Sequence, residues 1–389
     1  MKDIFIIGSK GIPAQYGGYE TFVDELVTRK VSDQIRYHVA CMTFNKETKN
    51  YTYNGTRCHE IHVPDIGGPK AILYDLKALN WALDEIKKNN LKNGVVYILA
   101  CRIGPFIHKY ISKFHKFGFE VWVNPDGHEW LRAKWSKPVR KYWKISEQGM
   151  VKNADLLICD SKNIEKYIQD EYKQYLPNTT FIAYGADVQT SKLNLDSPKA
   201  KEWFNKNKIK PNEYFLIVGR FVPENNYETM IREFMASKVK KDLVIITNVE
   251  KNSFYESLQE KTHFEKDLRI KFVGTVYDKD LLKLIRENAY GYLHGHSVGG
   301  TNPSLLEALG STRLNLLYDI GFNKEVAEDG AVYWNTRKGN LKDLLEKTVD
   351  FDEDTIDSFD RKSKQRIIDE YSWKKIVNSY EDVFLKGVK

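Results

Sequence analysis

The sequence predicts an α/β chain of two domains, each a parallel sheet wrapped by crossover helices. Three observations carry that prediction. Short apolar runs alternate with helical patterns along the whole length, as strands joined through helices do. The chain has 389 residues, too many for one ordinary core and enough for two. A polar stretch rich in Lys, Asn and Ser, Asp187–Pro211, separates two such series.

The apolar run Ile4–Ile7 follows a charge at Asp3, which predicts a first strand over Asp3–Gly8 rather than a signal peptide. Further strands are predicted at Arg36–Met42, Cys58–Val63, Val95–Leu99, Glu120–Val123, Leu156–Cys159 and Thr180–Ala183. Helical patterns cover Glu20–Lys30, Leu73–Asn89 and Pro105–Phe117. The second series is expected at Tyr214–Val218, Leu243–Thr247, Ile270–Val273, Ala289–Leu293 and Leu314–Tyr318, and a surface helix inside the polar stretch. Tyr371–Lys389 carries Trp373, Ile376, Tyr380 and Phe384 at helical spacing, so it reads as an amphipathic helix that must dock. No run approaches the about eighteen uncharged apolar residues of a spanning helix.

An apolar fraction of 42% and an aromatic fraction of 13% suit a folded chain. Lys and Arg total 60 against 53 Asp and Glu, a formal charge of +7. That modest excess suits phosphates or anionic lipid and does not point to nucleic acid. Cys41, Cys58, Cys101 and Cys159 form no CxxC pair and read as buried reduced thiols of a cytosolic protein.

Three strand-to-helix loops carry the candidate chemistry. In the first, Gly8–Glu20, Gly17 and Gly18 let the backbone approach a ligand, and amides at a helix start attract phosphate. The spacing is not GxGxxG and no acidic residue is placed to take a ribose, which argues against a dinucleotide; the plain alternative is a turn with a helix cap. In the second, Gly219 turns the chain and sets Arg220 at a strand's carboxyl end, where its planar fork suits a diphosphate; the alternative is pairing with Glu224. The third, HGHSVGGTNPSLLEA, is a small-residue loop opening a helix, with Glu307 about one turn in to accept from sugar or ribose hydroxyls. His294 and His296 lack a third ligand at metal spacing. Asp278-Lys279-Asp280 and Asp350-Phe351-Asp352 start polar helices and read as caps.

In the N-terminal half, Asn124–Trp130 follows a strand, and Asp126 and Glu129 are candidates to orient or deprotonate an acceptor hydroxyl; a turn capped by Asp126 is the alternative. Just downstream, Trp130–Lys144 interleaves tryptophans with Lys and Arg, a composition that suits an anionic bilayer interface; a solvated helix with its tryptophans in the core is the alternative.

The order of a GGxE loop, VGRxxPE, a small-residue loop ending in LLEA and a terminal Trp-containing helix resembles glycosyltransferase family 4. The likeness covers nearly the whole chain and includes Tyr184-Gly185-Ala186-Asp187, similar to that family's NGVD hinge motif. More narrowly, GSKGIPAQYGGYETFV, NPDGHEW, VGRFVPENN and HGHSVGGTNPSLLEA resemble bacterial β-1,4-rhamnosyltransferases of capsule and cell-wall polysaccharide synthesis. The resemblance implies the α/β GT-B fold, two Rossmann-like domains with parallel sheets facing an interdomain cleft. Residues 1–187 would form the acceptor side and 188–370 the nucleotide-sugar domain, with helix 371–389 crossing back onto the N-terminal domain.

Residue by residue, the resemblance implies that Arg220 holds the donor diphosphate, Glu307 contacts the nucleoside ribose, and His128 lies near the donor sugar. Val276 and Tyr277, in Gly274–Tyr277, match the base-binding loop. Two positions depart from the pattern: the lysine expected five residues after Arg220 is Asn225, and the first glutamate of the EX7E motif is Gly299. Backbone amides at Gly299, Gly300, Thr301 and Asn302 remain as a diphosphate cradle, with Gly219 and Ser304 beside them.

The implied activity is metal-independent, retaining transfer of L-rhamnose from TDP-β-L-rhamnose to a lipid-diphosphate-linked sugar. No cofactor beyond the donor is expected and no nucleic acid. The setting expected is cytoplasmic, peripheral at the inner face of the membrane through Trp130–Lys144. Two rivals are kept: a nucleotide-sugar epimerase of the same fold, suggested by His294 and His296, and an inactive sugar-nucleotide-binding protein, suggested by Gly299 and Asn225.

Overall fold

The computed structural model describes residues 1–14, 17–132, 134–249 and 251–387. Gln15, Tyr16, Ala133, Glu250, Val388 and Lys389 lie outside the described residues, and with them parts of the expected loop Gly8–Glu20, of the Trp130–Lys144 patch and of the expected helix Tyr371–Lys389. The chain divides into unit 1, Met1–Gly185 with Trp373–Lys389, and unit 2, Ala186–Ser372.

In unit 1 the strands are β1 (Lys2–Ile7), β2 (Ile35–Thr43), β3 (Asn50–Tyr53), β4 (Thr56–His62), β5 (Val95–Leu99), β6 (Glu120–Asn124), β7 (Leu156–Cys159) and β8 (Thr179–Phe181). Their order across the sheet is β3-β4-β2-β1-β5-β6-β7-β8. Every pair is parallel except β3 with β4. A parallel sheet is covered on both faces, which is why Ile4–Ile7 and Val95–Leu99 are continuous apolar runs, all fully buried. The helices are α1 (Gly18–Thr28), α2 (Lys70–Lys88), α3 (Gly104–His115), α4 (Lys137–Asn153) and α5 (Lys162–Glu171). One core layer packs Tyr74, Leu79 and Leu83 of α2 and Phe114 of α3 against Phe5, Ile98 and Val121.

Unit 2 begins with α6 (Pro198–Asn207), inside the polar stretch. That stretch is part of unit 2 rather than a linker between domains, because α6 buries Ala200 and Phe204 against Tyr214 and Ile285. Glu287 also accepts from the amide of Ser191 at 2.7 Å. The strands are β9 (Tyr214–Val218), β10 (Asp242–Ile246), β11 (Ile270–Gly274), β12 (Gly291–His294), β13 (Asn315–Tyr318) and β14 (Val332–Trp334). All pairs are parallel, in the order β11-β10-β9-β12-β13-β14. Between and after them run α7 (Tyr227–Ala236), α8 (Ser253–Thr262), α9 (Lys279–Glu287), α10 (Pro303–Leu309), α11 (Gly321–Ala327), α12 (Asn340–Thr348) and α13 (Glu353–Arg366).

The last helix, α14 (Trp373–Lys386), belongs to unit 1. Phe384 stacks on Trp122 of β6 with ring centroids 5.5 Å apart, and the Tyr380 hydroxyl meets that of Tyr97 of β5 at 3.2 Å. The Glu381 carboxylate accepts from the amides of Val31 and Ser32, just past α1, at 2.9 and 2.7 Å.

In both sheets the central strand sends the chain to one side first and to the other later: β1 lies between β2 and β5, β9 between β10 and β12. Adjacent loops therefore leave in opposite directions from the carboxyl ends of β1 and β5, and of β9 and β12. Crevices of this kind are where open α/β sheets take ligands.

Candidate functional site

In unit 2, β9 delivers Gly219 and Arg220 to its crevice. The Arg220 side chain is exposed, and among the described residues its guanidinium makes no hydrogen bond or ion pair, Glu224 included. A cation held at a strand tip without an internal partner is open to an anion. The Arg220 loop is stitched to the loop after β12. Asn226 Nδ2 donates to the Gly295 carbonyl at 2.7 Å, and the Ser297 amide and hydroxyl donate to the Glu224 carbonyl at 3.0 and 2.7 Å.

Asn225 is occupied at both ends within unit 2: Nδ2 donates to the Arg220 carbonyl at 2.7 Å, and Oδ1 meets His296 Nδ1 at 2.9 Å. It supports the loops and does not stand in for a phosphate-binding lysine. Gly299 has φ 117°, a backbone that side-chain-bearing residues rarely adopt. Gly300 and Thr301 are buried beside it. Asn302 caps α10 by accepting from the Ser304 amide at 2.9 Å.

Ser304 has another role than the one expected. Its hydroxyl lies 3.1 Å from the Val218 carbonyl and 3.0 Å from the Tyr292 hydroxyl, so both its hydroxyl and its amide are spent in tying α10 to the sheet. Glu307 is half-exposed and paired at 2.7 Å with the buried guanidinium of Arg286, a partner 21 positions away that no motif announced. That cation fixes the carboxylate's orientation. Val276 is packed partly against the α6 and α9 side of the core, whereas Tyr277 is 69% exposed. Asp278 accepts from the Leu281 amide and Asp352 from the Thr355 amide, the caps that their sequences suggest. His294 closes β12 with its ring fully desolvated, which pushes its pKa down to about 3 and keeps it neutral.

In unit 1 the first loop is shaped by α1's own carboxylates. Glu20 accepts from the Lys10 amide at 2.7 Å and Asp24 from the Ala14 amide at 2.8 Å. Those two amides are consumed internally. The glycine at Gly17 is required there, because a β carbon would overlap the Glu20 carboxylate, and its φ of 130° is a conformation that glycine tolerates. Gly18 then opens α1.

Two residues escaped the sequence reading. Buried Arg102 donates to the carbonyls of Gly8 at 2.6 Å and Leu99 at 2.9 Å, and lies 3.3 Å from Asp75. The Tyr19 hydroxyl is buried and has no hydrogen-bond partner among the described residues; burial first, then the charges of Asp126 and Asp160, raise its pKa well above that of an ordinary phenol. Neither belongs to a spaced motif, and only the fold makes them neighbours.

After β6, Asp126, Gly127 and His128 have φ of 61°, 90° and 54° in succession. Left-handed backbone at Asp126 and His128 costs free energy, and such outliers cluster at functional sites. The turn is capped not by Asp126 but by Asn124, whose Oδ1 accepts from the Asp126 amide at 2.8 Å. His128 packs on Tyr167 with ring centroids 4.1 Å apart, and burial lowers its pKa. Glu129 accepts from Trp135 Nε1 at 3.0 Å and pairs with Lys134 at 3.2 Å and with Arg132. Glu129 is thus held by three neighbours, and Asp126 lies 4.0 Å from Arg132. Asp126, Trp130, Trp143 and buried Glu147 line a narrow recess.

The Trp130–Lys144 segment turns most of its aromatic surface inward. Trp130 donates to the Tyr167 hydroxyl at 3.3 Å, Lys144 lies 4.8 Å above the Trp130 ring, and Trp135 faces Trp143 at 6.0 Å. What remains outside is Leu131, Lys134, and the α4 stripe of Lys137, Lys141 and Ile145. No helix among the described residues is long and apolar enough to cross a membrane.

Residues 1–187 match the model of a family described as a domain of unknown function, DUF1972. No curated protein matches the chain. Solved structures do. A sucrose-phosphate synthase from Thermosynechococcus elongatus superposes with TM-score 0.78 at 14% identity, covering 99% of both chains. An α,α-trehalose-phosphate synthase (UDP-forming) from Burkholderia xenovorans, in complex with glucose-6-phosphate, gives 0.75 at 10% identity over 99% of this chain and 100% of that one. An E. coli structure described as trehalose-6-phosphate bound with UDP-2-fluoro glucose gives 0.74 at 11% identity over the whole of both chains. At these identities the likeness establishes the fold: two α/β units with parallel sheets, of the GT-B type.

Proposed function

We propose that the protein is a retaining glycosyltransferase that takes L-rhamnose from TDP-β-L-rhamnose and passes it to a sugar carried on a lipid diphosphate. The observation that carries the transferase reading is Arg220: an exposed guanidinium without an internal partner, at the β9 tip of a unit 2 crevice whose second wall is the loop Gly295–Asn302. Charge developing on the departing diphosphate would be met by this cation and by the loop amides of Gly299–Asn302, an electrostatic stabilisation set in place before reaction. Glu307, fixed by Arg286, supplies an acceptor for ribose hydroxyls. In unit 1, Asp126 is the group offered to an acceptor hydroxyl, while the leaving phosphate takes the proton in a retaining reaction.

Solved relatives of this fold support the class of substrates: one is bound with UDP-2-fluoro glucose and another is in complex with glucose-6-phosphate. The rhamnose donor and the lipid carrier rest on the sequence resemblance.

The test is a donor panel of TDP-rhamnose, UDP-glucose and GDP-mannose with lipid-linked glucose and N-acetylglucosamine acceptors, followed by release of nucleoside diphosphate. Acceptor-dependent release with TDP-rhamnose is expected. Interconversion of the nucleotide sugar without acceptor would instead identify an epimerase. Arg220→Ala should lower kcat/KM at least about 100-fold, the scale of losing one charge-stabilising donor. The same variant should melt like the wild type, because among the described residues the exposed guanidinium makes no hydrogen bond or ion pair; undiminished turnover would overturn the assignment.

A further inference from the structure

The buried guanidinium of Arg286 reaches α10 from the last turn of α9. Its Nη2 lies 2.7 Å from Glu307 Oε2 and 3.3 Å from the Ser304 hydroxyl, both on α10. That hydroxyl in turn lies 3.1 Å from the carbonyl of Val218, the last residue of β9 before Gly219 and Arg220. The Glu307 carboxylate is thus tied, through one guanidinium and one hydroxyl, to the strand that delivers Arg220.

The ion pair is unequal. The Arg286 side chain is 5% exposed and that of Glu307 40%. Oε2 is the oxygen turned inward against the cation, which leaves Oε1 to face solvent. Among the described residues Oε1 takes no hydrogen bond. A carboxylate with both oxygens open can accept from two neighbouring hydroxyls of a sugar ring, one to each oxygen. Here one oxygen is already engaged by the protein, and what remains suits a single hydroxyl. A ribose offers hydroxyls at its 2′ and 3′ carbons, whereas a 2′-deoxyribose offers the 3′-hydroxyl alone.

We propose that Arg286 sets the nucleoside specificity of the site: by holding Oε2 it leaves Glu307 one acceptor, Oε1, which takes the 3′-hydroxyl of a 2′-deoxyribonucleoside diphosphate and leaves the 2′ position unread. The inference rests on the transferase reading and deepens it, since it draws the deoxyribose class of donor from an ion pair within unit 2. Glu307 is the group that meets the nucleoside, and Arg286 acts through it as a positioning residue. A buried Arg286 needs a counter-charge in any case, but a pair with that duty alone would be indifferent to the hydroxyls of a nucleoside.

The experiment removes those hydroxyls one at a time while base and diphosphate stay constant. Calorimetric titration uses UDP, 2′-deoxyuridine 5′-diphosphate and 2′,3′-dideoxyuridine 5′-diphosphate. The wild type should bind the first two equally, within about twofold, and the third about 10-fold more weakly, the scale of one hydrogen bond to a charged acceptor. Glu307→Ala should bind all three alike. Arg286→Met replaces the buried cation by an apolar chain and opens Oε2, so it should gain a preference for UDP over the 2′-deoxy ligand of about 3- to 10-fold. A wild type that prefers UDP to the 2′-deoxy ligand by more than about threefold overturns the inference. So does equal binding of all three ligands, or a folded Arg286→Met protein that still ignores the 2′-hydroxyl. The wild-type comparison involves no substitution, so it decides the matter even where a variant does not fold. If the wild type binds none of the three, the transferase reading itself falls and takes this inference with it.

Discussion

His294 is entombed with its pKa at about 3 against an ordinary value of 6.5, so the folded protein refuses a proton that the unfolded chain accepts. Its contribution to stability is therefore whole above pH 6.5 and is lost as the pH falls towards 3, with a slope of up to about 1.4 kcal/mol per pH unit. His294→Gln should flatten the dependence of unfolding free energy on pH between 6 and 4. Denaturant titrations at several pH values would show it, and an unchanged slope would refute it. At this scale the sequence was informative where one residue suffices, as with Arg220 at a strand tip. It was silent where two residues must meet. Arg102 under Gly8, Arg286 on Glu307 and Asn225 on His296 are contacts between distant stretches, and no spacing rule encodes them.

Among the elements, long apolar periods were read well and short ones were not. Each strand expected from an apolar run forms within about two residues, whereas β3 and β14 were missed. β3 carried a readable signal: Asn54-Gly55 joins it to β4 with φ of 45° and 75°, the left-handed pair of a tight hairpin. β14 has three residues and too little pattern to read. The tryptophans of Trp130–Lys144 illustrate a different limit. Composition suggested a bilayer interface, but it cannot say which rings find tyrosines inside. The proposed lipid contact then falls to the exposed remainder, where it can be tested. Charge reversal at Lys137 and Lys141 of α4 should reduce sedimentation with phosphatidylglycerol vesicles about fivefold per lysine, at about 1 kcal/mol for each basic residue near the surface. Equal binding of the variant would remove membrane contact from α4. For α14, Phe384→Ala deletes a fully buried ring stacked on Trp122 and should cost about 3–5 kcal/mol, measured by urea denaturation.

For the molecule as a whole, the two sheets follow one plan, and the alternation of apolar runs with helical patterns was enough to predict it. The expected boundary after residue 187 lies two residues from the division at Gly185 and Ala186, and the surface helix expected in the polar stretch is α6, whose Ala200 and Phe204 are buried in unit 2. A fragment of residues 1–185 lacks the ring of Phe384 against Trp122 and the carboxylate that holds Val31 and Ser32. It should show no cooperative thermal transition. The same fragment joined through a flexible linker to residues 373–387 should regain one. Cooperative melting of 1–185 alone would contradict this.

That dependence has a temporal side. α14 leaves the ribosome after every residue of unit 2. At ordinary elongation rates the nascent first 185 residues wait on the order of ten seconds or more for the helix that closes their sheet. Through that interval the aromatic face made by Tyr37, Tyr97 and Trp122 is uncovered, so the chain's hazard during synthesis lies in its earliest half, a natural client for a chaperone.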